Sequence, residues 1–371
     1  MDIERRIELI LRSPTEEFLT KDDLKEYLEI GIPLIHYIGF EISGLIHLGT
    51  GLITNIKVRD LQKAGVKTSI LLADWHSWIN KKLGSDFNFI REVAKKYFGP
   101  LMKDLLDLVG GDSEKLKVAY ASDLVKDEEY WKLVLEIGNK LTLNQVLRSV
   151  TIMGRKEHEI LTGSQLIYPL MQAADIFYMG ITLAHGGTDQ RKVHVRVREV
   201  APQIETKPLI YKNKKIKPLA LHHKLIKGLQ EPPIWPIEKE KMKDVIIDMK
   251  MSKSKPYSCI FVHDSEEEIK EKIRKAFCPA KNIEYNPIID IVELIVFNIE
   301  KEFTIEREEK FGGDITYYNI EDLKRDYIEG KLHPLDLKNA VSDYLVKLLA
   351  PIRRKWVNKE IVRIIREKTS R

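Results

Sequence analysis

Two short segments, far apart in the chain, carry side chains suited to binding phosphate. At His47-Leu48-Gly49-Thr50 we expect a helix to begin just after a strand, and a helix N-terminus offers free N–H groups and a positive dipole end. His47 could donate a hydrogen bond to a phosphate oxygen that gains charge during a reaction, and Gly49 would let a nucleotide approach the backbone. Taken alone, the segment could also be a helix-capping turn with a satisfied histidine.

The second segment, Lys250-Met251-Ser252-Lys253-Ser254, is predicted to lie on a loop. Lysine binds phosphate as a point charge, and serine hydroxyls add further donors, so this loop could shield a departing pyrophosphate. Any one of these residues alone would more often belong to a solvated basic turn. The sequence contains neither the glycine-rich P-loop motif nor the Gly-x-Gly-x-x-Gly dinucleotide motif, so those nucleotide-binding modes are not indicated.

A third group of polar residues lies on one predicted helix. Tyr168, Gln172 and Asp175 are spaced i, i+4 and i+7 and therefore share a face, which is otherwise apolar. A carboxylate there needs a partner, and a ligand hydroxyl held between Asp175 and Tyr37, on a buried strand, would supply one. Tyr168 and Gln172 could hold an ammonium group. The alternative is a core tyrosine and a helix-surface aspartate.

Two strand ends supply further candidates. In Gly186-Gly187-Thr188-Asp189-Gln190, which follows a short predicted strand, the glycines would bring backbone close to a ligand. Gln190 could bond to a ribose or to an amino acid. Asp74 and His76 follow another predicted strand and would lie at the rim of the same site.

Strands alternate with helices over the first half of the chain. We predict strands over residues 34–40, 68–73, 117–121 and 181–185, and helices over residues 3–12, 15–29, 47–64, 87–108, 164–178 and 190–200. This alternation predicts an α/β fold with a Rossmann-like parallel sheet covered on both faces, and ligands bind at the carboxyl ends of such strands.

The remaining segments show sequence patterns other than this alternation of strands and helices. Residues 125–160 are predicted to be a helical insertion, and the proline- and lysine-rich residues 202–237 to be loop and short strands. From Ser265 the pattern is helical and ends in a helix over residues 337–366. We therefore expect three parts: a Rossmann-like catalytic domain over residues 1–245, the lysine loop over 246–256 and a mainly α-helical C-terminal domain over 257–371.

Composition limits the kind of protein. The 371 residues, 43% of them hydrophobic, suffice for two domains with separate cores. The net charge of +5 is compatible with a nucleic-acid partner without requiring one. Cys259 and Cys278 form no Cys-x-x-Cys pair, so neither a metal site nor a structural disulfide is predicted. The charged start and the lack of a long apolar run predict a cytoplasmic protein with no signal peptide or membrane span.

Together these segments resemble the signatures of class I aminoacyl-tRNA synthetases, and in detail those of tyrosyl-tRNA synthetases of the archaeal and eukaryotic type. The similarity runs through these stretches: Tyr37 to Glu41, Leu72 to His76, Ile167 to Pro169, Gln172 to Ile176, Gly186 to Lys192, Lys250 to Lys255, Phe311 to Asp314 and His333 to Ala340. It implies a ligase that activates tyrosine with ATP and transfers it to tRNA(Tyr), with Mg²⁺ brought by ATP and no tightly bound cofactor. It also implies a homodimer joined through residues 125–150 and an anticodon-binding role for the C-terminal domain.

The resemblance assigns roles to individual residues. Tyr37 and Asp175 would bind the phenol hydroxyl of tyrosine, and Tyr168, Gln172 and Gln190 its amino group and backbone. The remaining implied tyrosine-binding residues are Gly39, Glu41, Ala73 and His76. The implied ATP-binding residues are His47, Gly49, Gly186, Gly187, Asp189, Lys250, Met251, Ser252 and Lys253. The implied catalytic set is His47, Gly49, Thr50, Lys250, Lys253 and Ser254. The implied tRNA contacts are Arg148 and Arg191 on the acceptor stem, and Phe311, His333 and Asp336 on the first anticodon base, a guanine.

The chain departs from the family pattern in three places. Thr50 stands where a histidine is usual, and Ile42 where a proline is usual. A threonine hydroxyl can still donate to phosphate, so we expect activity. The segment of residues 230–249 is longer than usual before the lysine loop, and nothing in the sequence explains it.

Three other functions remain open. A tryptophanyl-tRNA synthetase shares the motifs but needs only one acceptor for an indole N–H, whereas Tyr37 with Asp175 suits a phenol. A noncatalytic synthetase-like RNA-binding protein is supported by Thr50 alone. A small-molecule adenylyltransferase would have no use for the helical C-terminal domain.

Overall fold

The computed structural model describes residues 1–153, 162–238, 245, 249–252 and 256–369. The strands are β1 (Thr15–Leu19), β2 (His36–Phe40), β3 (Thr68–Leu72), β4 (Leu116–Tyr120), β5 (Leu183–Gly187), β6 (Ile210–Tyr211), β7 (Lys214–Lys215), β8 (Leu219–His223), β9 (Phe303–Ile305) and β10 (Ile315–Tyr317). The α-helices are α1 (Ile3–Leu11), α2 (Lys21–Ile30), α3 (Thr54–Lys63), α4 (Asp74–Ile79), α5 (Phe87–Val93), α6 (Gly99–Leu108), α7 (Ala121–Leu124), α8 (Glu128–Lys140), α9 (Leu143–Ser149), α10 (Gly163–Tyr178), α11 (Arg191–Val200), α12 (Glu266–Lys275), α13 (Pro287–Ile291), α14 (Phe297–Ile299), α15 (Ile320–Glu329), α16 (Pro334–Trp356) and α17 (Glu360–Thr369).

The chain divides into two compact units by its internal packing. The first unit comprises Met1–Gly44 and Lys57–Lys224, and the second comprises Leu45–Ile56 and Leu225–Arg371. The functional domains expected over residues 1–245 and 257–371 remain a prediction.

A six-stranded sheet forms the centre of the first unit, in the order β1-β8-β5-β2-β3-β4. The strands from β8 to β4 run parallel, and β1 is added antiparallel to β8 at one edge. Neighbouring residues of β5 belong to different cores, Leu183 to one and Ala184 to the other, as expected when successive side chains point to opposite faces. The predicted α/β fold with a buried parallel sheet is therefore confirmed.

At the edge of the sheet, the structure differs from the predicted secondary structure. Residues 15–29 were expected to form one helix, but Thr15–Leu19 is a strand, and α2 starts only after Thr20 caps it through the backbone N–H of Asp23. This strand buries only Phe18 and carries two glutamates, so its sequence has the charge of an edge strand and not the apolar run of a central one. β8 lies within residues 202–237, which were predicted to be loop and short strands, and all five of its residues are buried.

The predicted helices are also less continuous than expected. A π-helical turn over Ala94–Phe98 separates α5 from α6, and another over Gly49–Ile53 precedes α3. In the second unit, β9 pairs with β10 inside a region predicted to be helical. The final predicted helix over 337–366 is two helices, α16 and α17. Among the described residues, no helix is both long and apolar enough to cross a membrane.

Candidate active site

The predicted hydroxyl-binding pair lies in the interior of the first unit. Tyr37 on β2 and Asp175 on α10 are each 1% exposed. Burial, and after it the negative charge of Asp175, raises the pKa of Tyr37 well above its usual value, so its hydroxyl keeps its proton. The alternative of a helix-surface aspartate is wrong, because Asp175 is enclosed.

Asp175 has two protein neighbours that the sequence did not reveal. The hydroxyl of Tyr130 on α8 donates to Asp175 Oδ1 at 2.8 Å. His76 Nε2 lies 3.2 Å from Oδ2. Burial has the largest single effect and lowers the pKa of His76, but the close approach and charge of Asp175, together with the charges of Glu41 and Asp74, make the net shift upward. The carboxylate thus accepts a hydrogen bond from the Tyr130 phenol and lies within ion-pair distance of the His76 imidazole.

A second polar group surrounds Glu41, immediately after β2. Its Oε1 accepts hydrogen bonds from Tyr168 Oη at 3.0 Å and from Asn80 Nδ2 at 2.7 Å. Lys82 Nζ lies 3.4 Å from Oε2. With its O–H committed to Glu41, the Tyr168 oxygen keeps lone pairs that could accept from an ammonium group.

Gln172 and Gln190, both half-buried, meet at the end of the sheet. Gln172 Nε2 donates to Gln190 Oε1 at 3.1 Å, and Gln190 Nε2 donates to the Ile152 carbonyl at 3.1 Å. Gly186 is needed for this packing, because a Cβ there would lie 2.8 Å from Gln190 Cβ. The sequence predicted close approach of a ligand to this glycine, whereas the side chain that approaches it is Gln190.

The other first-unit candidates lie at strand ends as predicted. Gly39 is on β2, and Ala73 follows β3, with its N–H donating to the Phe40 carbonyl at 2.9 Å. Gly187 ends β5, and Asp189 belongs to the short 3₁₀ turn that follows. Asp74 is not free for a ligand, since its Oδ1 accepts from the backbone N–H of Ser122 at 2.9 Å.

His47 and Thr50 contact each other in the second unit. The Gly49 N–H donates to His47 Nδ1 at 3.1 Å, and Thr50 Oγ1 lies 3.2 Å from His47 Nε2. A neutral imidazole that accepts at Nδ1 carries its proton at Nε2, so His47 donates to Thr50. A Cβ on Gly49 would lie 3.1 Å from His47 Cε1 and 3.0 Å from Ile226 Cγ2. The absence of a side chain at Gly49 thus leaves space for the side chains of His47 and Ile226.

The start of the lysine loop is anchored by backbone pairing. The Met251 N–H donates to the Ile226 carbonyl at 3.0 Å, and the Gly228 N–H donates to the Met249 carbonyl at 2.6 Å. Met251 is buried, while Lys250 and Ser252 are half-buried. Lys253 and Ser254 lie outside the described residues.

The candidate tRNA residues occupy exposed positions, except for the half-buried Asp336. Arg148 is on α9, and Arg191 Nε, at the start of α11, donates to Glu17 Oε1 at 2.8 Å. Phe311 is 59% exposed. His333 caps α16 by accepting from the Leu335 N–H at 3.2 Å, and Asp336 lies in the first turn of that helix.

Arg307 joins the two segments that carry these C-terminal candidates. Its Nε donates to the Gly313 carbonyl at 2.8 Å, and its Nη1 donates to the Lys331 carbonyl at 3.1 Å. One guanidinium thus ties the turn after Phe311 to the turn before His333. Within the described parts of the chain, no group of three or more His, Cys, Asp or Glu side chains could hold a metal ion.

Comparison with known proteins identifies the family. The family described as tRNA synthetases class I (W and Y) matches residues 31–350. The chain belongs to this family. It is 58% identical over 356 residues to the tyrosine–tRNA ligase of Pyrococcus furiosus, a match that covers 95% of each chain.

Solved structures of this synthetase family agree with the fold. The crystal structure of tyrosyl-tRNA synthetase complexed with L-tyrosine from Pyrococcus horikoshii matches with a TM-score of 0.96 and 55% identity, over 99% of this chain and all of that one. The tyrosyl-tRNA synthetase of Aeropyrum pernix matches with a TM-score of 0.82 and 38% identity, over 100% and 99% of the two chains.

Some polar residues of this class I synthetase were missed by sequence reasoning. Tyr130, Asn80 and Arg307 each hold a candidate residue or segment in place through hydrogen bonds. Lys227 is buried and pairs with Asp290 at 2.8 Å, next to the start of the lysine loop. A single Tyr, Asn or Arg gives no signal of its partner in the sequence, because these contacts join residues far apart in the chain.

Proposed function

We propose that the chain is a tyrosine–tRNA ligase, which activates L-tyrosine with ATP and transfers it to tRNA(Tyr). The observation that carries this proposal is the buried Asp175 beside Tyr37, a carboxylate and a protonated phenol that together suit one ligand hydroxyl. The names of the relatives and the bound L-tyrosine of the Pyrococcus horikoshii enzyme support the same assignment.

Tyrosine fits this pocket better than tryptophan does. A phenol O–H donates to a carboxylate and accepts from a second hydroxyl, so it satisfies both Asp175 and Tyr37. An indole N–H can donate but cannot accept, and it would leave the Tyr37 hydroxyl without a partner. A buried polar group without a partner costs about 1–3 kcal/mol.

The other end of the amino acid would meet polar groups of the same unit. The Tyr168 oxygen, polarised by its donation to Glu41, would accept from the α-ammonium group, and so would the side-chain oxygens of Gln172 and Gln190. Asn80 would keep Glu41 in place. These contacts leave the carboxylate of tyrosine free to react.

The first step forms an acid anhydride. A carboxylate oxygen of tyrosine attacks the α-phosphorus of ATP, the bond to the β-phosphate oxygen breaks, and pyrophosphate leaves with the electron pair. His47, Thr50, Lys250, Lys253 and Ser254 would stabilise the charge that develops on the phosphate oxygens. No protein nucleophile is needed, so the enzyme acts by positioning the reactants and by electrostatic stabilisation.

The second step transfers the tyrosyl group. A ribose hydroxyl of the terminal adenosine of tRNA attacks the adenylate carbonyl, and AMP leaves. Arg148 and Arg191 would contact the acceptor stem, while Phe311, His333 and Asp336 would contact the first anticodon base. The exposed ring of Phe311 supports a stacking role.

ATP would bring Mg²⁺ as part of the substrate, with water and phosphate oxygens as its principal ligands. The proposal includes a homodimer through residues 125–150, where Leu135 and Leu143 are 67% and 63% exposed. Because tRNA charging serves translation, we expect the enzyme in the cytoplasm.

A charging assay tests the whole reaction. Purified protein, ATP with Mg²⁺ and labelled tyrosine should produce acid-precipitable tyrosyl-tRNA from archaeal tRNA. Adenylate formation without charging would restrict the proposal to the first step. No reaction with tyrosine, together with tight tRNA binding, would favour the noncatalytic RNA-binding alternative.

A further inference from the structure

Tyr130 contacts the carboxylate that is proposed to read the substrate hydroxyl. Its side chain on α8 is fully buried, and its hydroxyl lies 2.8 Å from Asp175 Oδ1 and 3.3 Å from the Met171 carbonyl. One O–H can donate fully to only one acceptor, and the shorter contact with the charged oxygen is favoured. Tyr130 therefore donates to Asp175.

The ring of Tyr130 is fixed from two sides. It makes edge-to-face contacts with Trp131 and Tyr178, with ring centroids 5.7 Å and 5.5 Å away. Burial, and then the charge of Asp175, raises the pKa of Tyr130 well above its usual value. The hydroxyl thus stays protonated and remains a donor.

We propose that Tyr130 is a specificity-determining positioning residue that keeps Asp175 oriented to accept from the substrate phenol. This inference rests on the proposed function and adds a residue that acts through Asp175 without being assigned a substrate contact. A buried carboxylate depends on hydrogen-bond donors to satisfy and orient its oxygens. Tyr130 is a permanent donor, whereas the substrate hydroxyl is present only when tyrosine is bound.

Loss of this donor should weaken discrimination in a particular way. Without the Tyr130 hydroxyl, Asp175 would turn towards another donor. It would then accept less well from a substrate O–H or N–H, and a substrate without such a donor would lose nothing. Tyrosine should therefore lose reactivity, and phenylalanine should not.

The test is Tyr130→Phe, which removes one oxygen and keeps the ring, assayed by ATP–pyrophosphate exchange with three amino acids. Tyrosine and 4-aminophenylalanine can both donate to Asp175, and phenylalanine cannot. We expect kcat/KM to fall roughly tenfold or more for the two donors, as for loss of a hydrogen bond to a charged group. The value for phenylalanine should stay within about twofold.

Tyr27→Phe is the matched control. Tyr27 is also buried, and its hydroxyl donates to the Lys217 carbonyl at 2.6 Å, so its loss is chemically similar but does not involve Asp175. This variant should keep the wild-type ratio of tyrosine to phenylalanine. Equal losses for all three amino acids in Tyr130→Phe, or an unchanged ratio, would overturn the inference.

A second measurement separates action through Asp175 from a packing effect. In an Asp175→Asn background, Tyr130→Phe should change the ratio of tyrosine to phenylalanine by less than about twofold, because the two changes remove one interaction. If Tyr130→Phe lowered the ratio of tyrosine to phenylalanine as much in the Asp175→Asn background as in the wild type, the proposal would be contradicted. If wild-type protein fails to exchange with tyrosine, the proposed function itself fails, which is a different result.

Discussion

Asp175 combines almost complete burial with a negative charge, and this determines what its removal should do. Tyr130 and His76 occupy part of its surroundings, and the substrate hydroxyl would supply the remaining donor. A site built for a hydroxyl rejects an analogue that lacks it, because its polar groups are then left unpaired. Asp175 thus selects for tyrosine because a substrate without the hydroxyl leaves the buried carboxylate unpaired.

Asp175→Asn should lower the preference for tyrosine over phenylalanine roughly tenfold to a hundredfold, since a hydrogen bond to a charged group contributes about 1.5–3 kcal/mol. The ratio of kcat/KM values in ATP–pyrophosphate exchange measures this. Asp326→Asn is the control, because Asp326 also accepts from a tyrosine, Tyr317, but belongs to the second unit. An unchanged ratio in Asp175→Asn would show that the hydroxyl is read elsewhere.

Lys250 is predicted to act on ATP and not on tyrosine. Lys250→Ala should slow adenylate formation about a hundredfold, the usual effect of losing one donor to a developing charge. Tyrosine affinity should remain within about twofold. Pre-steady-state adenylate formation and equilibrium tyrosine binding measure the two quantities, with Lys270→Ala, an exposed lysine of the same unit, as control. Equal losses in the rate of adenylate formation and in tyrosine affinity would argue against a transition-state role for Lys250.

At the scale of the elements, the end of β5 and the turn after it place Gln190. Gly186→Ala would put a Cβ 2.8 Å from Gln190 Cβ and 3.0 Å from its Cγ, so Gln190 must move. We expect the free energy of unfolding to fall by about 1–3 kcal/mol and KM for tyrosine to rise.

Gly163→Ala serves as the control for this change, because a Cβ at Gly163 meets no atom within 4 Å. Urea unfolding and exchange kinetics on the two variants measure both effects. If the two variants had the same free energy of unfolding and the same KM for tyrosine, the role given to Gly186 would be contradicted.

Three neighbouring strands carry a buried histidine row, made of His36, His185 and His223. The ring nitrogens of His36 and His185 lie 3.0 Å apart, and those of His185 and His223 lie 2.9 Å apart. Burial lowers the pKa of His36 to about 3 and, with the neighbouring histidines, lowers that of His185 well below its usual value. The folded protein therefore keeps these two rings neutral.

The sign of the pH effect follows from the unfolded chain, whose histidines take up protons below about pH 6.5. Between pH 6.5 and 3 these two histidines bind more protons in the unfolded state, so their contribution to the free energy of unfolding should fall as pH falls and stay constant above this window. Urea midpoints at pH 7.5 and 5 measure the slope. His36→Gln should flatten it, and the exposed His333→Gln should not. An equal slope in wild type and His36→Gln would contradict this.

The sequence predicted those elements whose apolar runs are uninterrupted. The strands β2 and β3 were recognisable because they are buried on both faces and consist mainly of large apolar side chains. Short strands were predicted around β8, but its place in the central sheet was not, because two of its five residues are histidines and proline-rich segments surround it. The shared face of Tyr168 and Asp175 followed from helical spacing. Their partners Glu41 and Tyr130 did not, because only tertiary packing brings these residues together.

At the scale of the whole molecule, the proposed residues divide between the two compact units. Those assigned to tyrosine belong to the first unit, and His47, Gly49, Thr50 and Lys250 belong to the second. Substitutions at the tyrosine-pocket positions of the first unit should therefore change which amino acid is accepted. Substitutions at these positions of the second should change the rate of the phosphate chemistry with any accepted amino acid.

ATP–pyrophosphate exchange with each of the twenty amino acids in parallel tests the central claim most directly. It reports adenylate formation without tRNA, and it compares every side chain in the same pocket. The account predicts exchange with tyrosine and none above background with tryptophan. Exchange with tryptophan in place of tyrosine would contradict the hydroxyl-reading pocket of Asp175 and Tyr37.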